Sequence, residues 1–176
     1  MLCKTYCISA ALALSVLAGS VGTAAAQSAG KTAASDESSC TDMDFLLGEW
    51  EAVRDGKVIA NTKFEVGASH CSILQTWTPP SGVQGRSVAA LIAYSNADKS
   101  WEYLAAWSNG MRQRWENGVL KGNELRFDRV DSVKKTLEHF SFFNLPNGDS
   151  KEFSEGSADG GKTWTTHYDV IFRRKK

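Results

Sequence analysis

The sequence predicts an all-β chain, an antiparallel up-and-down β-barrel of about nine or ten strands. Three observations point there. From Phe45 onward, short segments of alternating character follow one another, and none sustains a helical apolar period. The junctions between them hold Gly, Asn, Asp or Pro, the residues that make tight turns. Several segments also pair a charged face with one rich in aromatics, as a sheet with one solvated side requires. A meander of this kind hides its strand edges by closing into a barrel or by folding as a sandwich.

The chain opens with Lys4, a mostly apolar run from Ile8 to Ala18, and then Thr23-Ala24-Ala25-Ala26 before Gln27. A basic start, a short apolar middle and an Ala-x-Ala end form a secretory signal peptide, with the cut placed after Ala26. The apolar run is too short to span a bilayer, so no integral membrane segment is expected after cleavage. Leu17-Ala18-Gly19 is followed by Ser20 rather than a cysteine, which disfavours a lipid-anchored product. Residues 1–26 are thus read as a leader, 27–41 as a flexible polar arm, and 42–176 as the barrel domain. A periplasmic or secreted location follows.

Cleavage removes Cys3, Cys7 and Lys4, leaving 150 residues with 19 basic and 20 acidic side chains. That length suits one domain burying about two-thirds of its unfolded surface. A near-zero net charge offers no general attraction for nucleic acid, so no nucleic-acid partner is expected. Cys40 and Cys71 are the remaining thiols, and in an oxidising compartment they pair by default. The bridge would tie the polar arm to the sheet.

"DMDFLL" is read as one short helical turn before the first strand. Asp55-Gly56 then turns "EWEAVR" into "VIANTKFEV", and Pro79-Pro80-Ser81-Gly82 separates "SILQTWT" from "RSVAALIAYS". Asn96-Ala97-Asp98 leads into "WEYLAAW", and Asn109-Gly110 into "MRQRW". Asn117-Gly118 and Gly122-Asn123 are read as bracketing a very short strand before "ELRFDRV". Pro146-Asn147-Gly148 closes "TLEHFSFFNL", and Asp159-Gly160-Gly161 turns "KEFSEGS" into "TWTTHYDVIFRR". Gly and Asn supply the positive φ that such turns need.

Alternation assigns the faces. Trp101, Tyr103, Ala105 and Trp107 share an inward face; so do Met111, Gln113 and Trp115, then Leu125 and Phe127. Trp164, Thr166, Tyr168, Val170 and Phe172 form the last inward row, with His167 outside. His139 is ambiguous, because Phe140 and Phe142 claim the other face of its strand. Wide aromatics with polar tips can line a pocket or fill a core, and both readings stand. If there is a pocket, its candidate ligand-binding residues are Trp101, Tyr103, Trp107, Met111, Gln113, Trp115, His139 and Tyr168.

Gly48-x-Trp50 on the first strand, with Arg173 or its neighbour Arg174 on the last, resembles the lipocalin and calycin pattern. In those barrels the tryptophan plugs one end and a basic side chain lies across it. "DFLLGEWEAV", "HCSILQTW" and "SADGGKTWTTHYDVIFRR" are similar to a bacterial family of unknown function with lipocalin-like barrels. The resemblance covers roughly residues 42 to 175. It implies a barrel and capture of a small hydrophobic or aromatic molecule. It carries over no catalytic residue, and no position matches the histidine that haem-binding barrels use.

Ser157-x-Asp159-x-Gly161-x-Thr163-Trp164 matches the Asp-box, a structural hairpin in which Asp accepts turn N–H groups. His70, His139 and His167 have no metal-ligand spacing, so neither a metal nor another cofactor is expected. Neither a Gly-x-Ser-x-Gly elbow nor a phosphate-cradling glycine loop is present. Glu102 and Glu138 read as solvated, the second with the same ambiguous parity as its neighbour His139. Three functions compete: a barrel that binds a small molecule, an envelope interaction protein with a filled interior, and a cyclase- or isomerase-type enzyme. The last would need an inward ionisable group, for which His139 is the candidate.

Overall fold

The computed structural model describes residues 39–131 and 135–175. The predicted leader and most of the polar arm lie outside the described residues. A 3-10 turn over Asp44–Leu46 precedes ten strands: β1 (Gly48–Arg54), β2 (Lys57–Val66), β3 (Ser72–Thr78), β4 (Val88–Ser95) and β5 (Ser100–Trp107), then β6 (Arg112–Lys121), β7 (Glu124–Val130), β8 (Leu137–Asn144), β9 (Ser150–Ser157) and β10 (Thr165–Arg174). Each pairs antiparallel with its sequence neighbours, and β10 returns to β1, closing an up-and-down barrel. The Trp50–Arg174 and Val53–Ile171 pairings make that closure.

Turn chemistry sets the registers. Asp55 and Gly56 both take positive φ, 50° and 74°, which is what a two-residue hairpin of the observed twist demands. Asn117-Gly118 corrects the sequence reading. It is not a turn but lies inside β6, where Asn117 has φ 57° and the β5–β6 register shifts between Trp101 and Tyr103. Gly118 is required there because a Cβ would strike the Phe127 ring. β6 therefore runs on to Lys121, and Gly122-Asn123 makes the hairpin.

The interior has two unlike halves. At the end where β1 begins and β10 finishes, Trp50, Phe64, Phe127, Phe142 and Phe172 are buried against Met43 and Leu46 of the leading turn. Trp50 donates its indole N–H to the Leu46 carbonyl at 2.6 Å. A guanidinium covers its outer face, but it is Arg174 rather than Arg173, with its carbon 4.1 Å from the ring centroid. Parity explains the correction: Phe172 points inward, so Arg173 points to solvent and Arg174 returns to the barrel end. Arg174 also donates to the carbonyls of Leu47 (3.0 Å) and Phe45 (3.4 Å). A Cβ on Gly48 would sit 2.9 Å from its Nη1, so the glycine of Gly-x-Trp is what lets the arginine through.

Cys40 and Cys71 are joined in a disulfide that fastens the leading segment beside this plugged end. Next to it, His70 Nδ1 and Asp44 Oδ1 approach to 2.8 Å, holding the 3-10 turn to the β2–β3 loop. The Asp-box is built as read. Asp159 Oδ1 accepts the N–H groups of Lys162 (3.0 Å) and Thr163 (2.9 Å), while Ser157 receives the Gly161 N–H at 2.8 Å. Bonds from the Thr163 hydroxyl and amide hold the Asp159 carboxyl down at about 2.

Candidate functional site

The opposite end of the barrel is hollow. A cavity of about 440 Å³ lies between the ends of β1 to β6 and β8 to β10, within the range of small-molecule sites. Its aromatic wall is Trp77, Tyr103, Trp107, Trp115, Phe140 and Tyr168. Gln75, Gln113, Glu152 and Ser154 add polar atoms. The β3–β4 loop, with Pro79 and Val83 to Arg86, and the end of β1 at Arg54 form the rim.

The depth of the cavity follows from side-chain size. On the inner face of β3, Ile73 and Gln75 give way to Trp77, and on β9 the inward residues are Ser150, Glu152 and Ser154. Bulky rings fill the plugged half, and the small Ser154 of β9 leaves room in the open half. A polar chain crosses the floor. The Tyr103 hydroxyl donates to Gln75 Oε1 at 2.9 Å, Gln75 Nε2 to Thr62 Oγ1 at 3.4 Å, and Thr62 to the Thr76 carbonyl at 2.9 Å. Each of these buried polar atoms is thereby paired.

Glu152 is not. Its strand partners are Phe142 on β8 and Val170 on β10, both fully buried and apolar. The residue keeps some surface along the cavity, yet its Oε2 is shut off from solvent with no hydrogen-bond partner. Burial pushes its carboxyl up to about 8. Burial also pushes the Tyr103 and Tyr168 hydroxyls well above the usual range, and the Glu152 charge adds to both. At Tyr168 the charge of Tyr103 pushes the same way and Arg54 opposes it weakly.

The sequence-predicted ligand residues divide. Tyr103, Trp107, Gln113, Trp115 and Tyr168 come together around the cavity. Trp101 is fully buried in the other half, packed on Tyr94 at 5.4 Å, and does not line it. Met111 precedes β6 in the turn after β5, and its side chain is exposed rather than inward. His139 faces outward: the inward residues of β8 are Phe140 and Phe142, buried in the core. Its ring stacks on Trp164 at 3.8 Å, with Glu155 3.1 Å from Nδ1. Trp164 reaches it because it lies before β10, and a register shift between Thr166 and Tyr168 breaks the row that sequence alternation drew through it.

Glu138 is another correction. Read as solvated, it is buried and pairs with Arg129 at 2.5 Å, and the Arg129 guanidinium lies 4.0 Å over Trp115. Trp115 thus carries a cation on its ring, while Phe140 stacks against it at 5.3 Å.

Sequence reasoning missed Trp77, Gln75 and Glu152. The first two were visible in "SILQTWT", where Ile73, Gln75 and Trp77 alternate on one face. For Glu152 the pattern misleads. Phe153 in "KEFSEGS" claims the inward face for itself, but it lies outside with the Lys151 ammonium 4.8 Å over its ring. Among the described residues, no group of three or more His, Cys, Asp or Glu side chains is placed to hold a metal ion.

A scan against models of known protein families and a search of curated proteins both find no match to this chain.

Proposed function

We propose that this chain is an exported, lipocalin-like barrel that binds a small, partly apolar molecule in the open half of its interior. The carrying observation is the 440 Å³ hollow walled by Trp77, Trp107, Tyr103 and Tyr168. Aromatic walls contribute contact area at little entropic cost, and Gln75, Gln113 and Glu152 orient a polar group. Tyr103, Trp107, Gln113, Trp115 and Tyr168 are the ligand residues retained in this reading. The plugging of one end by Trp50 and Arg174 supports the lipocalin-like assignment. The Cys40–Cys71 bridge supports export through a leader at residues 1–26, because such bridges persist in oxidising compartments.

A filled interior, the premise of the envelope-interaction reading, holds only for the plugged half. Catalysis of the cyclase or isomerase type has one observation in its favour: Glu152 is an inward carboxyl that burial raises to about 8, whereas His139 faces outward. The Tyr103 hydroxyl is committed to Gln75 and is not free to relay a proton to it.

The test is intrinsic tryptophan fluorescence of the purified protein titrated with aliphatic, retinoid-like and aromatic probes. A saturable change lost in Trp107→Leu supports the reading. A full panel without saturable change sinks it.

A further inference from the structure

The chemistry of the hollow narrows what it takes. Charged side chains on its lining are Arg54, Arg86 and Glu152. The two arginines sit on the exposed rim, where water screens them. Glu152 sits inside, between the buried Phe142 and Val170 positions, with Oε2 unpartnered. An unpaired acid at such a place destabilises the empty barrel, and among the described residues no hydrogen bond relieves its Oε2. The Tyr103 hydroxyl, in the same cavity, donates to Gln75 instead.

What relieves a buried carboxylate is a positive charge carrying hydrogen-bond donors or close-packed C–H groups. The surroundings suit the rest of such a molecule. Trp77, Trp107 and Tyr168 present ring surface in the same cavity, and ring faces attract organic cations when water is excluded. The barrel already uses that attraction twice, for Arg129 over Trp115 and Arg174 over Trp50. A carboxylate ligand would meet the opposite: the acid at the floor repels it, and the rim arginines hold it in solvent.

We infer that the hollow selects small organic cations, an ammonium group borne on an apolar or aromatic body, with Glu152 as its counter-charge. This rests on the ligand-binding reading above and names the class of ligand. The ammonium sits at the floor against Glu152, and the apolar body lies along Trp77, Trp107 and Tyr168 toward the rim.

Three probes of nearly one shape separate the alternatives: benzyltrimethylammonium, its uncharged carbon analogue neopentylbenzene, and phenylacetate. Each is titrated by tryptophan fluorescence and calorimetry into the full chain and into Glu152→Gln at about pH 8.5, where the acid is ionised. The expected result is that the ammonium binds the parent protein at least about tenfold more tightly than either isostere. In Glu152→Gln the ratio of ammonium to neutral affinity falls to near one, with near-UV circular dichroism confirming the fold. Equal or tighter binding of neopentylbenzene or phenylacetate overturns the cation assignment and leaves a ligand-binding hollow standing. So does a preference that survives in Glu152→Gln. Failure of all three probes on the parent protein overturns the ligand-binding reading and this one together.

Discussion

Replacing Glu152 by Gln should stabilise the protein at neutral pH, which is unusual for a buried position. The side chains are nearly isosteric, so packing against Phe142 and Val170 is kept and only the ability to ionise is removed. The native carboxyl is raised from 4.5 to about 8 by burial. Below about pH 4.5 both folded and unfolded states hold the proton, and the acid adds no pH dependence. Between about 4.5 and 8 the unfolded chain releases it while the native state retains it. The native state then binds more protons, so stability falls as pH rises, by about 1.4 kcal/mol per pH unit. By pH 7 the accumulated loss is at most about 3 kcal/mol, and water entering the open hollow reduces it toward about 2. Gln escapes that loss. Against a total stability of about 5–15 kcal/mol, the difference is easily measured. Urea unfolding of both proteins from about pH 5 to 8 should show midpoints that diverge as pH rises, with unchanged slopes. A difference independent of pH, or a variant less stable than the parent at pH 7, refutes the assignment of Glu152 as a buried, unpaired acid.

Two further changes probe the plugged end. Arg174→Ala removes the cation over Trp50 and two bonds to the Leu47 and Phe45 carbonyls, and should cost about 1–2 kcal/mol after screening of an exposed guanidinium; Arg173→Ala, on the solvent face, should stay within about 0.5 kcal/mol, and equal losses in urea unfolding would put the wrong arginine on the indole. Replacing Cys40 and Cys71 together by Ser opens a loop of sequence separation 31 and should cost about 3–4 kcal/mol; a loss below about 1 kcal/mol would mean that the hydrogen-bonded β2–β3 connection and the Asp44–His70 contact already restrain that loop.

Legibility tracked the range of the interaction. Gly and Asn turns, period-two alternation and the Cys40–Cys71 pair are local or compositional signals, and they led to strands, barrel closure and the bridge. The Gly48–Trp50–Arg174 plug was readable to within one residue, because strand parity decides which of two adjacent arginines turns inward. Parity failed where the ladder carries an irregularity. The bulge in β10 moved Trp164 out to His139, and the one at Asn117-Gly118 joined two expected strands into β6. Met111 was misplaced because the turn after Trp107 ends one residue later than the alternation supposed.

Composition and alternation in the chain itself determined an antiparallel sheet, its aromatic inner face and the sulfur link, since each depends on neighbours close along the backbone or on residue type. Only the closed tertiary structure decided that the barrel is solid at one end and empty at the other, because that depends on ring volumes summed across strands far apart in sequence. It alone also put Glu152 inside and Phe153 outside. On an isolated strand either face is available to either residue, and the choice belongs to β8 and β10, whose registers hold both neighbours of Glu152 in the core.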